Sequence, residues 1–175
     1  MLFYLLCALI IVGAIVVALA ALKPDEFRIS RSAVIKASPE RIFPFVNNLR
    51  TFATWSPYEL KDANMKRTFK GPESGKGAIY AWDGNANIGK GQLEISESKP
   101  FSLVAIDLGM EKPIAANNLV TFTFEPRGSE TTVTWAMKGQ TPFIGKIMHT
   151  IFSMEKMVGG DFELGLSRLK AAAEG

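Results

Sequence analysis

The chain holds one cysteine, Cys7, and one histidine, His149, among 175 residues. Cys7 lies in an apolar leader, so the rest has no thiol for a disulfide, a thiolate metal site or a cysteine nucleophile. With His149 alone and no ligand-spaced carboxylate cluster beside it, no metal or other cofactor is expected. Long basic runs are missing too. Lys and Arg number 20 against 17 Asp and Glu, a formal charge of +3, which argues against a nucleic-acid partner. A Gly-x-Ser-x-Gly elbow is also lacking, so a serine triad has no support. Nothing in residues 27–173 reads as a linker, repeat or low-complexity tract, and one domain is expected.

What is present begins with Leu2 to Leu22, an uncharged run of apolar and small residues that ends at Lys23-Pro24-Asp25-Glu26. A helix rises about 1.5 Å per residue, so this run matches a hydrocarbon core of about 30 Å, whereas signal-peptide apolar regions hold about 7 to 15 residues. Residues 1–23 read as an uncleaved transmembrane anchor and 24–175 as the folded domain. Ala18-Leu19-Ala20 leaves a cleaved signal as the alternative, against which stands the lack of Lys or Arg ahead of the run. Lys23, Arg28, Arg31 and Lys36 follow the span, so the positive-inside rule makes this a single-pass membrane protein with a cytoplasmic domain. Asp25 and Glu26 dilute that bias and leave a periplasmic domain open.

Phe27, Ile29, Ala33 and Ile35 share one parity, opposite Arg28, Ser30, Ser32 and Lys36, which predicts a half-buried strand with Arg31 as its exception. Ser38-Pro39-Glu40 then starts a helix by capping, proline placement and charge, and Pro44 keeps it short, bent or broken. A second helical piece runs from Leu49 to Trp55. Six strands follow, marked by Met65/Phe69, Tyr80/Trp82, Leu93/Ile95, Val104/Ile106, Phe122/Phe124 and Val133/Trp135/Met137. Turn residues separate them, and the short connections imply antiparallel pairing. After Thr141-Pro142 the apolar spacing becomes helical, predicting one long helix bent at Gly159-Gly160.

Several stretches carry a family resemblance. They are Ala37-Ser38-Pro39-Glu40-Arg41-Ile42-Phe43, Asn48-Leu49-Arg50 leading to Trp55-Ser56-Pro57, Gly75-Lys76-Gly77 running into Tyr80-Ala81-Trp82-Asp83-Gly84-Asn85 and Gly89-Lys90-Gly91, and Gly159-Gly160-Asp161-Phe162-Glu163 before Gly165-Leu166. Over residues 27–173 the chain resembles the SRPBCC (START and Bet v 1-like) superfamily, of the polyketide cyclase/dehydrase and lipid transport type. The resemblance implies an α+β helix-grip fold: a seven-stranded curved antiparallel sheet wrapping a long C-terminal helix, with two short helices after strand one, here preceded by one transmembrane helix. It also implies an apolar tunnel between sheet and helix. It implies no particular reaction, because that superfamily holds carriers, receptors and enzymes alike.

Large apolar side chains are the residues expected to meet a ligand: Trp55, Tyr58, Tyr80, Trp82, Phe122, Phe124, Trp135, Met148 and Phe152. Ordinary core packing competes for each of them. Asp83, Glu94 and Asp107 are the available acids. Asp83 reads as a turn residue bonding local amides, Asp107 shares parity with Leu103 and Ala105 and should face solvent, and none is assigned as catalytic. Residues 143–158 carry apolar groups on more than one helical face, fit for a tunnel, a bilayer or a partner. The leading expectation is membrane-tethered binding or transport of a hydrophobic small molecule, a lipid, isoprenoid or quinone-like species. Alternatives are a cyclase or dehydratase acting on an apolar substrate, and an accessory subunit of a membrane protein complex.

Overall fold

The computed structural model describes residues 1–151 and 153–175 and, among these, every side chain except those of Leu2, Ile144, Met148, His149, Ile151 and Met154. An apolar helix, α1 (Leu2–Ala21), leads into β1 (Glu26–Ile35), the short helices α2 (Pro39–Asn47) and α3 (Leu49–Trp55), and a 3-10 turn (Pro57–Leu60). Six strands follow: β2 (Lys66–Lys70), β3 (Ile79–Asp83), β4 (Lys90–Lys99), β5 (Leu103–Lys112), β6 (Ala116–Arg127) and β7 (Glu130–Gln140). Two helices, α4 (Phe143–Ile151) and α5 (Met154–Glu174), close the chain.

Each strand pairs antiparallel with its neighbour in the order β1-β7-β6-β5-β4-β3-β2, giving the curved seven-stranded sheet of a helix-grip fold. Alternation decides which side chains face inward. Ile29 and Ile35 of β1 are buried, as are Val133, Trp135 and Met137 of β7 and Val120, Phe122 and Phe124 of β6. Gly128, at φ +66°, makes the tight link between β6 and β7, a left-handed conformation that only glycine adopts without strain.

On α5, Phe162, Leu166, Leu169 and Ala173 recur every three or four residues and are all buried. This stripe lies against β1, β7, α2, α3 and the 3-10 turn. Burial of each of the three larger side chains contributes about 1.5–3 kcal/mol. The last turns of α5 also cover the free edge of β1. Lys170 Nζ donates to the Val34 carbonyl at 2.8 Å, and the Lys36 amide donates to Glu174 Oε1 at 2.7 Å, so groups that would invite another strand are engaged.

Two local expectations need correction. The terminal helix is two helices rather than one, α4 ending at Ile151 and α5 starting at Met154, with Ser153 outside both. Ser153 caps the second helix by accepting from the Lys156 amide at 3.3 Å. Gly159 and Gly160 both lie within α5. Ser38 does stand at the start of α2 with Pro39 in its first turn, but its hydroxyl makes no cap bond. The cap hydrogen bonds belong to the next helix, where Asn48 Oδ1 accepts from the Arg50 amide at 2.9 Å and the Thr51 amide at 3.4 Å.

A candidate ligand groove on the inner face

Strand register arranges the inward residues in rows across the sheet. One row runs Arg31, Trp135, Phe122, Val104, and it lies beneath α5. Its aromatic groups are packed on one another. Trp135 stacks on Phe162 with ring centroids 4.1 Å apart, Phe122 lies 4.9 Å from Trp135, and Trp55 meets Trp135 edge-on at 5.7 Å. Tyr58, on the 3-10 turn, reaches the same ring at 6.4 Å. Four of the expected ligand-facing residues, Trp55, Tyr58, Phe122 and Trp135, therefore form one cluster. Phe124 lies apart, edge-on to Phe43 at 5.5 Å. Tyr80 and Trp82 form another group on the far wing, where Phe69 stacks on Tyr80 at 4.9 Å. Met148 and Phe152, like His149, lie outside the described residues or side chains.

The inner face changes toward the end nearest α1. The row Phe27, Gly139, Asn118, Leu108, Leu93, Tyr80 begins one residue from the start of β1, and Phe27, Asn118 and Leu108 are only partly buried there. Met110, in the next row outward, is partly buried as well. Because α4 departs toward α1, against which it packs, α5 begins only beside Arg31 and leaves these apolar positions less covered. Two clefts lie elsewhere. One of about 240 Å³ is lined by Leu49, Arg50, Phe69, Pro72, Glu73 and Ile79, and one of about 160 Å³ by Arg28, Leu119, Thr121, Ala136, Met137 and Lys138.

Polar groups lie among the buried side chains of the inner face. Indole N–H groups of Trp55 and Trp82 donate to the carbonyls of Phe45 at 2.8 Å and Ile88 at 3.4 Å. The Trp135 Nε1 donor is fully buried and has no hydrogen-bond partner among the described residues. A buried, unmet donor costs about 1–3 kcal/mol unless an acceptor reaches it.

On the β2–β3 wing the Glu59 carboxylate accepts from Tyr80 Oη and from Arg67 Nε, the latter at 2.8 Å. Burial, and then the bond to Glu59, push the Tyr80 phenol well above its ordinary value, so it stays a neutral donor. Tyr58 is raised chiefly by burial and further by the charge of Asp161, which pairs with Lys61 at 2.6 Å. Sequence reasoning missed Glu59 and Arg67, because a carboxylate in a single 3-10 turn has no periodicity to betray its direction.

The expected acids fall differently. Asp107 is exposed on the outer face opposite Glu94, as its parity predicts. Asp83 ends β3 and is exposed, but the carboxylate that holds the following turn is Asp62, whose Oδ2 accepts from the Asn85 amide at 2.8 Å. No group of three or more His, Cys, Asp or Glu side chains is placed to hold a metal among the described residues.

Residues 26–174 match the family described as polyketide cyclase / dehydrase and lipid transport. Among solved structures, the fold is similar to protein CV1439 from Chromobacterium violaceum, at TM-score 0.60 and 16% identity over 87% of this chain and 99% of that one. It is likewise similar to SA2116 from Staphylococcus aureus, at TM-score 0.62 and 13% identity over 85% and 94% of the two chains. Major latex-like protein 151 from Panax ginseng gives TM-score 0.61 and 11% identity over 86% and 99%. No sequence among curated proteins matches. Fold, register and family match agree, and the chain belongs to the polyketide cyclase/dehydrase and lipid transport family.

Proposed function

We propose that this protein binds or shuttles a hydrophobic small molecule, of lipid, isoprenoid or quinone-like character, while tethered to a membrane by α1. The observation that carries the reading is the partly buried apolar end of the inner face, where Phe27, Leu108 and Met110 pack against the core and are less covered because α4 turns aside. Apolar surface of this kind gains about 25 cal/mol for each Å² removed from water, which favours an apolar guest. Of the residues expected to meet the ligand, Trp55, Tyr80, Trp82, Phe122, Phe124 and Trp135 are buried in the core, with Tyr58 packed against it, and belong to the proposal as the packed floor behind that end rather than as groups that touch the guest. α1 is long and apolar enough to cross a bilayer from Phe3 to Ala21, and a tether there would hold the domain where such molecules partition.

Native mass spectrometry of the full chain released from lipid nanodiscs tests this directly. The expected result is one tightly retained lipid-sized adduct and uptake of a fluorescent fatty acid. Met110→Glu should weaken that uptake roughly tenfold, since burying an unpaired carboxylate costs more than 1.4 kcal/mol. A chain with no adduct and no uptake contradicts the reading. The cyclase or dehydratase alternative is favoured by one observation, the Glu59 carboxylate held by Tyr80 and Arg67 on the groove wing. It predicts loss of water from a bound hydroxylated fatty acid in the same experiment, abolished by Glu59→Gln. An unchanged probe mass contradicts it.

A further inference from the structure

The end of the sheet where the groove is least covered is also the end that meets α1. Gly139 pairs with both Phe27 and Asn118, so Asn117 is level with Gln140 and Glu26 at the start of β1. Ile114 lies three residues before Asn117, at the tip of the β5–β6 loop. At the rise of an extended chain it projects up to about 10 Å beyond that level, toward the point where α1 ends. Ile114 is 52% exposed, and Phe143, which starts α4 just past the end of β7, is 49% exposed. Singly exposed apolar residues are ordinary on a protein surface, and these two are set apart by sharing the end of the domain at which α1 enters.

Charged groups lie at this end too. Lys112 and Lys138 are exposed, and two of the nearby carboxylates are paired with cations, Asp25 with Lys146 at 2.5 Å and Glu111 with Lys90 at 2.9 Å, while Glu26, bonded to the neutral Gln140 amide at 2.8 Å, and exposed Asp83 keep their charge. The β5–β6 loop is also braced. Gly89, at φ +68°, brings the β3–β4 loop against the Lys112 carbonyl, so closely that any side chain there would collide. The loop tip is thus a supported projection.

We infer that this end of the domain docks on the surface of the bilayer that α1 spans, with Ile114 and Phe143 entering the acyl boundary and Lys112 and Lys138 meeting anionic headgroups. The occupant is a lipid surface, because α1 leaves the domain only a few residues before β1 and so holds this end beside the bilayer. Docked in this way, the groove opens toward lipid rather than water. The inference rests on α1 spanning the membrane and does not require that the groove hold a ligand.

The test uses the full chain in vesicles of phosphatidylcholine and phosphatidylglycerol containing a phosphatidylcholine with a nitroxide high on its acyl chain. A fluorophore is placed on the native Cys7, or on Ile114→Cys, Phe143→Cys or Phe101→Cys in a Cys7→Ser background. Phe101 is equally apolar and 44% exposed but sits in the β4–β5 turn at the opposite end, which makes it the control. Probes at 114 and 143 are expected to show at least about half the quenching of the Cys7 probe, as burial some 5–10 Å into the interface requires, with little at 101. Replacing phosphatidylglycerol with phosphatidylcholine, or raising salt, should reduce quenching at 114 but not at Cys7. Quenching at 114 and 143 equal to that at 101, with Cys7 quenched, overturns docking and leaves the span intact. An unquenched Cys7 removes the span and the inference together.

Discussion

Arg31 is the inward residue of β1 that is not apolar, and α5 is shaped around it. Its guanidinium donates to Glu155 at 2.7 Å and to Glu163 at 2.6 Å, residues that flank Gly159. A methyl group on Gly159 would collide with that guanidinium, whereas one on Gly160 would meet nothing within 4 Å. Helix propensity alone favours alanine over glycine by about 1 kcal/mol at either position. Gly160→Ala should therefore raise stability by about 0.5–1 kcal/mol in urea unfolding. Gly159→Ala should not, because displacing Arg31 weakens its two solvent-screened ion pairs with Glu155 and Glu163. In an Arg31→Ala background the two substitutions should behave alike, and a Gly159→Ala gain that ignores residue 31 would contradict the contact. The parity break at Arg31 was legible as an anomaly in sequence. Its purpose was not, since the partners lie more than a hundred residues away.

At the scale of elements, strands were the most readable part. Alternation located β1 and the six later strands, and the turn residues placed their ends, because a half-buried sheet imposes a period of two on its sequence. The terminal helix was less readable. An apolar spacing of three or four continues through 143–169, so periodicity reports one helix, while the interruption depends on how Ser153 is used. Its side chain caps α5, and Ser153→Ala should cost about 1 kcal/mol and lower the helical signal in circular dichroism. An unchanged unfolding curve would mean that the α4–α5 break is held by packing instead.

For the whole molecule, fold and family could be read from the chain, but the arrangement of the groove could not. Aromatic residues are needed both to fill a core and to wall a binding site, and composition does not divide them. The structure gathers Trp55, Tyr58, Phe122 and Trp135 under α5 and leaves Phe27, Leu108 and Met110 only partly buried beside α1, a distinction set by where α4 turns away. Ligand binding by this fold therefore turns on where an apolar guest sits. Photo-crosslinking the full chain in nanodiscs with a diazirine fatty acid, followed by peptide mapping, reads that position directly. Labels are expected on peptides carrying Phe27, Leu108, Met110 and Asn118, and competition with unlabelled fatty acid should remove them. Labelling confined to α1, or spread over the outer face of the sheet, would contradict it.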